Sequence, residues 1–445
     1  MDTTRRNFLK GLAVAAGLGA AGSAAYLKTR EGAATAPAAA PASVPSDAAQ
    51  PAAEPSPTVP APSVSAPPSS SPTPSAVKSL VVIQLAGGND GLATVVPYAD
   101  PALASARSTL TFPNDQLLKL NDQVALHPAM KGLKALWDEQ KMAVVMGVGY
   151  PNPNRSHFAS MDIWASASPD KPSQTGWLGR FLDSANLPAD NPFNAISIGP
   201  TLPLALKSQK TAVTSVQDAA TFQLRPDPRR PQEAPQLMAA FTNMYTRGPG
   251  GVPYYGLVEK VEATTAVAAD ELKKLGATYH SATSYPQSEL GRGLQNIAQM
   301  LTGGYGTRLF YVQAGGFDTH ANEKAGHDRL MTDLSDSIAA FYQDMTAHGL
   351  SHNVVMMTWS EFGRRVKENG SGGTDHGTAA PLFVIGDGVK GGIVGEQPSL
   401  TKLDANGDLQ FGIDFRAVYG TVLSKWLTMD GREVLGGEFD QLPLF

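Results

Sequence analysis

Apolar positions in this chain gather into short, nearly unbroken runs rather than alternating with polar ones. Ser79-Leu80-Val81-Val82-Ile83-Gln84-Leu85 is the first, and similar runs cover Met142 to Val148, Asn194 to Ile198, Phe310 to Gln313, Val354 to Met357 and Leu382 to Ile385. Runs of strand length with no polar face belong to a parallel sheet covered on both sides. Between them lie stretches with helical spacing: Leu133, Leu136 and Trp137 after Leu126-His127-Pro128, and Leu330, Leu334, Ile338 and Phe341 within the segment from His327 to Leu350. The order strand, helix, strand from Phe310 to Met357 implies parallel neighbours joined by a right-handed crossover. An α/β fold with a mostly parallel sheet is therefore expected for residues 78–445.

The runs do not extend through the whole chain. Between Leu187 and Gly304 the pattern is irregular, with a Pro/Arg-rich loop from Arg225 to Pro231 and helical segments near Val258 to Leu275 and Leu290 to Leu301. Carrying no chemical motif, residues 187–304 are expected to form a cap or insertion. From about Glu31 to Ser75 the chain is almost entirely Ala, Pro, Ser and Thr and holds 12 of the 34 prolines. That composition cannot offset the entropy of ordering, so residues 31–77 are expected to be a disordered spacer, reaching roughly 100 Å when extended. Ahead of it, Thr4-Arg5-Arg6-Asn7-Phe8-Leu9-Lys10 followed by a Gly/Ala-rich apolar stretch is similar to a twin-arginine export signal, covering residues 1–30. Export by the twin-arginine translocase to the periplasm or cell surface is the expectation, with the signal either removed near Ala24 or kept as an N-terminal membrane tether.

Composition narrows the chemistry. The 445 residues carry a formal net charge of -5 and no cluster of Lys and Arg, so nucleic acid is not an expected partner. With no cysteine, thiolate catalysis, disulfides and Cys-ligated zinc are excluded. Any metal site must use His, Asp and Glu.

Such residues recur just after the apolar runs, at the expected carboxyl ends of strands, where open parallel sheets gather ligands. The first run opens into Gly87-Gly88-Asn89-Asp90-Gly91, the Phe310 run into Gly315-Gly316-Phe317-Asp318-Thr319-His320, and the Val354 run into Ser360-Glu361-Phe362-Gly363-Arg364. Thr374-Asp375-His376-Gly377 precedes another run, and five of the eight histidines lie between His320 and His376. Asp90, Asp318, Glu361 and the Asp375-His376 loop are thus expected to crowd together. Crowded carboxylates repel one another unless a cation neutralises them. Mixed carboxylate and imidazole donors suit zinc or manganese over calcium or magnesium. His327 reads equally as a helix-start residue or a ligand, whereas His127, ahead of a proline, reads as a helix-entry residue. Arg155-Ser156-His157 begins an apparent helix. There Ser156 is the best candidate nucleophile, Arg155 could clamp an anionic oxygen and His157 could orient either; an N-cap serine beside a surface arginine is the plainer alternative.

Taken together, these motifs with the C-terminal Asp414-Phe-Arg416-Ala-Val-Tyr419 resemble the DUF1501 family, twin-arginine-exported proteins of unknown function related to the alkaline phosphatase-like superfamily, over Ser79 to Leu427. The resemblance implies a doubly wound, alkaline phosphatase-like fold holding two metals, with a hydroxyl or thiol nucleophile at a helix start; one or two zinc or manganese ions are the expectation for this chain. It implies Asp90, Ser156 and Glu361 at one ion and Asp318, His376 and either His320 or His327 at the other, with Arg155 or Arg364 steadying charge. Phe362 stands where that superfamily has a carboxylate-histidine pair. The function so implied is a metal-dependent hydrolase acting on a small phosphate or sulfate ester; the alternative is a non-catalytic protein of the same fold that binds a periplasmic partner protein.

Overall fold

The computed structural model describes residues 77–188, 191–217, 231–233, 236, 271 and 274–445. The export signal, nearly all of the spacer and much of the 187–304 stretch lie outside them.

The apolar runs form the strands expected of them, β1 (Ser79–Leu85), β2 (Met142–Gly149), β3 (Ala195–Ile198), β5 (Leu309–Ala314) and β6 (Val354–Trp359), while β4 (Thr214–Val216) is a short strand that no apolar run marked. Two short strands, β7 (Arg364–Glu368) and β8 (Thr374–His376), pair as a separate hairpin, and β9 (Ala380–Ile385), β10 (Gly392–Val394) and β11 (Ile413–Asp414) return to the main sheet. The main sheet has nine strands in the order β10-β2-β9-β6-β1-β5-β3-β4, with β11 also paired to β2. Every pairing is parallel except those of β9, which runs against both β2 and β6. The described part of 187–304 supplies β3 and β4 to one sheet edge and a helix, Glu289–Thr302, beside β5 and β3.

Both faces are covered, which explains why the runs lack a polar side. Val81, Ile83 and Leu85 of β1 join one core with Leu133, Ile297, Leu334, Ile338 and Phe341, while Leu80 and Val82 join another with Trp164, Trp177, Phe181, Phe415 and Tyr419. The class is thus α/β with a doubly wound, mostly parallel sheet. Among the described residues no helix is long and apolar enough to cross a membrane.

This topology positions the site. β6, β1 and β5 are consecutive parallel neighbours, with Gln84 level with both Trp359 and Gln313. Their carboxyl ends, and the loops bearing Glu361, Gly87-Gly88 and Asp318, therefore emerge side by side.

Candidate metal centre

The turn after β1 can only be built from glycine. Gly87 and Gly88 have φ of +123° and +75°, and a Cβ on Gly87 would lie 2.4 Å from the Asp318 backbone nitrogen. That close approach brings the β1 and β5 ends into contact. Arg364, 1% exposed, then binds them together. Its Nε donates to the Gly88 carbonyl at 2.7 Å, Nη1 to the Thr374 carbonyl at 2.9 Å, and Nη2 to the Phe317 carbonyl at 3.0 Å and Asp318 Oδ1 at 2.7 Å. A guanidinium spent in this way is a staple between three loops rather than a group waiting for substrate.

Around Asp318 Oδ1 stand three imidazoles. His320 Nε2 is 3.1 Å away, His376 Nε2 3.2 Å and His157 Nε2 3.6 Å. The remote nitrogen of two rings is tied off. His157 Nδ1 lies 2.8 Å from Glu361 Oε1, and His376 Nδ1 2.8 Å from the Arg155 carbonyl. Since those partners only accept, each Nδ1 carries the proton and each Nε2 presents a lone pair. His157 Nε2 is buried without a hydrogen-bond partner. The ligand atoms of His157, Asp318 and His376 all lie within 4.8 Å of one another.

Protonation agrees with this geometry. Burial pushes His376 below the ordinary histidine range, only partly offset by its bond to the Arg155 carbonyl, so the ring is neutral at neutral pH. For Asp318, burial raises the carboxyl, but the hydrogen bond and charge of Arg364 outweigh it and hold the group ionised. The His157 and His376 lone pairs beside an ionised carboxylate, each ring oriented by an acceptor behind it, form a donor set that fits a divalent ion of the zinc type.

Glu361 and Asp375 are placed one layer back. Glu361 is fully buried and accepts from the Gly87 N–H at 2.9 Å as well as from His157, so it orients the His157 ring. Asp375 Oδ1 sits 3.4 Å from His320 Nδ1 and receives the Asn369 amide at 3.2 Å. Asp375 thus stands behind His320, on the far side of the ring from Asp318. Phe362 packs its ring against His157 and His376, with centroids 4.9 Å and 4.6 Å away.

Asp90 and His327 do not join this group, which corrects the expectation that all strand-end acids would meet. Asp90 caps the short helix after β1 through Leu92 N–H at 3.1 Å and is ion-paired to the buried Arg107. Burial raises its carboxyl, but the Arg107 charge and hydrogen bonds from Glu323 and Arg107 hold it far below the usual range. Burial and the Asp90 charge push the neighbouring Glu323 up to about 9, so it is protonated and can donate to Asp90. His327 is buried and neutral, pushed down to about 3, with Nε2 facing Asn89 Oδ1 at 3.3 Å and its ring 5.4 Å from that of His127. His127 is buried as well, with Nε2 3.0 Å from Asp328. An internal guanidinium supplies the cation that Asp90 needs. Nothing in Arg107 or Glu323 advertised this, because neither follows an apolar run.

Arg155 and Ser156 begin the helix His157–Ser166. Arg155 Nη1 is paired to the buried Asp408 at 3.0 Å, so its charge is already matched. Ser156 is the exposed N-cap residue and makes no side-chain capping bond, leaving its hydroxyl uncommitted to the helix. Beside it Phe158 is 81% exposed.

The model of a family described as "Protein of unknown function (DUF1501)" matches residues 77–436. Among solved structures the chain is similar to the PsFucS1 sulfatase from Pseudoalteromonas sp., at 12% identity over 82% of this chain and 70% of that one, with a TM-score of 0.37. It is also similar to a protein in the alkaline phosphatase superfamily from Vibrio parahaemolyticus, at 10% identity over 78% and 66% with a TM-score of 0.36. A third is the C-terminal periplasmic domain of EcEptC from Escherichia coli in complex with Zn, at 11% identity over 71% and 75% with a TM-score of 0.34. Comparison with curated proteins gives no match.

Proposed function

This chain belongs to the DUF1501 family of proteins of unknown function, and we propose that it is an exported, metal-dependent hydrolase of phosphate or sulfate esters. One observation carries the reading: His157 and His376 present lone pairs beside Asp318, with the His157 nitrogen buried and unpartnered. His157, Asp318 and His376, joined by His320, would hold one ion. The nitrogen-rich set favours zinc, with manganese second. Arg364 already occupies Asp318 Oδ1 and Arg107 neutralises Asp90, which favours a single ion over two. When bound, such an ion polarises an ester oxygen and stabilises developing negative charge.

The chain's own groups do the rest. Glu361 and the Arg155 carbonyl hold the two rings in their tautomers, Arg364 fixes the loops, and Phe362 excludes water from one side of His157 and His376. Ser156, at a helix N-terminus with an uncommitted hydroxyl, is the proposed nucleophile. The test is hydrolysis of aryl phosphate and aryl sulfate by zinc-loaded protein carrying Ser156→Ala. Turnover should fall at least ~100-fold with metal content unchanged; wild-type rates would move the attack to water, and no turnover by the parent would remove the hydrolase reading.

A second reading rests on Arg155 and Arg364, whose charges are both matched within the protein. A protein that binds its ion but turns over no ester, and instead holds a partner outside the cytoplasm, would have this arrangement. Export itself rests on the twin-arginine sequence at residues 1–30; release of the folded chain from the cytoplasm, abolished by Arg5→Lys with Arg6→Lys, is the check.

A further inference from the structure

Two of the imidazoles around Asp318 have firmly seated acceptors behind them, the buried Glu361 carboxylate for His157 and the Arg155 carbonyl for His376, each at 2.8 Å. His320 is held differently. Its side chain is 44% exposed, and the group behind its Nδ1 is the Asp375 carboxylate, 55% exposed and 3.4 Å away. Yet His320 Nε2 stands 2.9 Å from His376 Nε2 and 3.1 Å from Asp318 Oδ1, so it addresses the same point as the other two rings. Two exposed side chains give up rotamer freedom to keep that register, and a further contact has to offset the loss.

The turn joining β7 to β8 supplies it. Asn369-Gly370-Ser371-Gly372-Gly373 lies so close to the loop after β5 that a Cβ on Gly373 would come within 2.4 Å of the His320 carbonyl carbon. The N–H groups of Asn322 and Glu323 donate to the Ser371 and Gly372 carbonyls, and that of Thr374 to the Thr319 carbonyl. Those bonds fix backbone only. The Asn369 side chain goes further: its oxygen accepts from the Ser371 and Gly373 N–H groups at 2.9 and 3.1 Å, and its NH2 donates to the His320 carbonyl at 2.9 Å and to Asp375 Oδ1 at 3.2 Å. Oxygen and nitrogen are assigned by the partners, since the first two only donate and the carbonyl and carboxylate only accept. The Asp375 oxygen that takes this bond is the one facing His320 Nδ1.

We propose that Asn369 is the positioning residue for the fourth ligand of the metal centre. Through the shared Asp375 oxygen it holds His320 with Nδ1 protonated and Nε2 presented beside those of His157 and His376. It touches no ligand atom itself and acts through His320. The inference rests on the metal centre of the hydrolase reading and adds that one ligand is set by a surface turn.

Zinc affinity of the full chain, read by chelator competition, is the test. Asn369→Asp keeps an oxygen for the Ser371 and Gly373 N–H groups but puts a second carboxylate against Asp375 in place of the donor. Zinc should bind about tenfold more weakly. His320→Ala should lose at least as much, and adding Asn369→Asp to it should change nothing further, because the ring through which Asn369 acts is gone. The exchange of Asn369→Asp with Asp375→Asn restores a donor between the two positions and leaves an oxygen for His320, so most of the affinity should return. Equal affinity in the parent and Asn369→Asp, additive losses in the His320→Ala background, or no recovery in the exchange overturns the positioning role and leaves the hydrolase standing. A parent that binds zinc, shows these losses and hydrolyses no ester keeps the role and removes the hydrolase. A parent that binds no zinc removes both.

Discussion

His157 and Glu361, which lie 204 residues apart, meet at 2.8 Å through Nδ1 and Oε1 in a fully buried contact on the carboxylate side. The pairing fixes the tautomer of a helix-start histidine, because only with Nδ1 protonated does Nε2 offer its lone pair toward Asp318. Glu361→Gln would keep the shape but lose the full charge, and orienting partners of metal-bound histidines are typically worth 10–100-fold in affinity. Zinc affinity of Glu361→Gln is expected to fall at least ~10-fold while its circular dichroism is unchanged, measured by competition with a chromophoric chelator.

Arg364 should matter to the fold before it matters to any reaction. Replacement by Met leaves four loop carbonyls and Asp318 without their donor, a loss expected to cost about 3–5 kcal/mol. Arg364→Lys keeps the charge but not the planar fork and should recover only part of it. Urea unfolding of the three proteins is the measurement.

The internal Asp90–Glu323 pair gives stability a pH dependence with a definite sign. Glu323 is raised from an ordinary 4.5 to about 9, so between those values the folded state holds a proton the unfolded chain has released. Its contribution is complete below pH ~4.5 and lost as pH rises through about 9. His127 and His327, lowered from 6.5 to about 4 and about 3, act oppositely: their contribution is present above pH ~6.5 and lost as pH falls. Stability should therefore peak near neutrality and decline toward pH 9, by at most about 1.4 kcal/mol per unit from Glu323. In Glu323→Gln the alkaline decline should flatten while the acid limb remains, as followed by thermal unfolding across pH 4 to 9.

Legibility of the sequence divides along one physical line. Strands buried on both faces announce themselves as unbroken apolar runs, so β1, β2, β5, β6 and β9 could be read directly, and with them the loops carrying Asp318, Glu361 and His376. What one strand end offers to another depends on which side chain reaches first, and that is not local. Asp90 looks like a ligand from its Gly-Gly-Asn-Asp-Gly turn, yet Arg107, from a loop 17 residues on, reaches it first. His157 looked like a helper to Ser156 because its Glu361 partner sits 204 residues on, in the loop after β6. The Phe362 departure from the expected carboxylate-histidine pattern was visible in the sequence; that its ring would pack on His157 and His376 was not.

The central claim is a metal centre made by His157, Asp318 and His376, and metal stoichiometry tests it most directly. Full-length protein equilibrated with zinc and freed of loose ion should hold about one zinc per chain by elemental analysis, and His157→Ala, Asp318→Ala and His376→Ala should each lose it while Asp90→Asn does not. No bound metal in the parent, or unchanged occupancy in the three alanine variants, would contradict it.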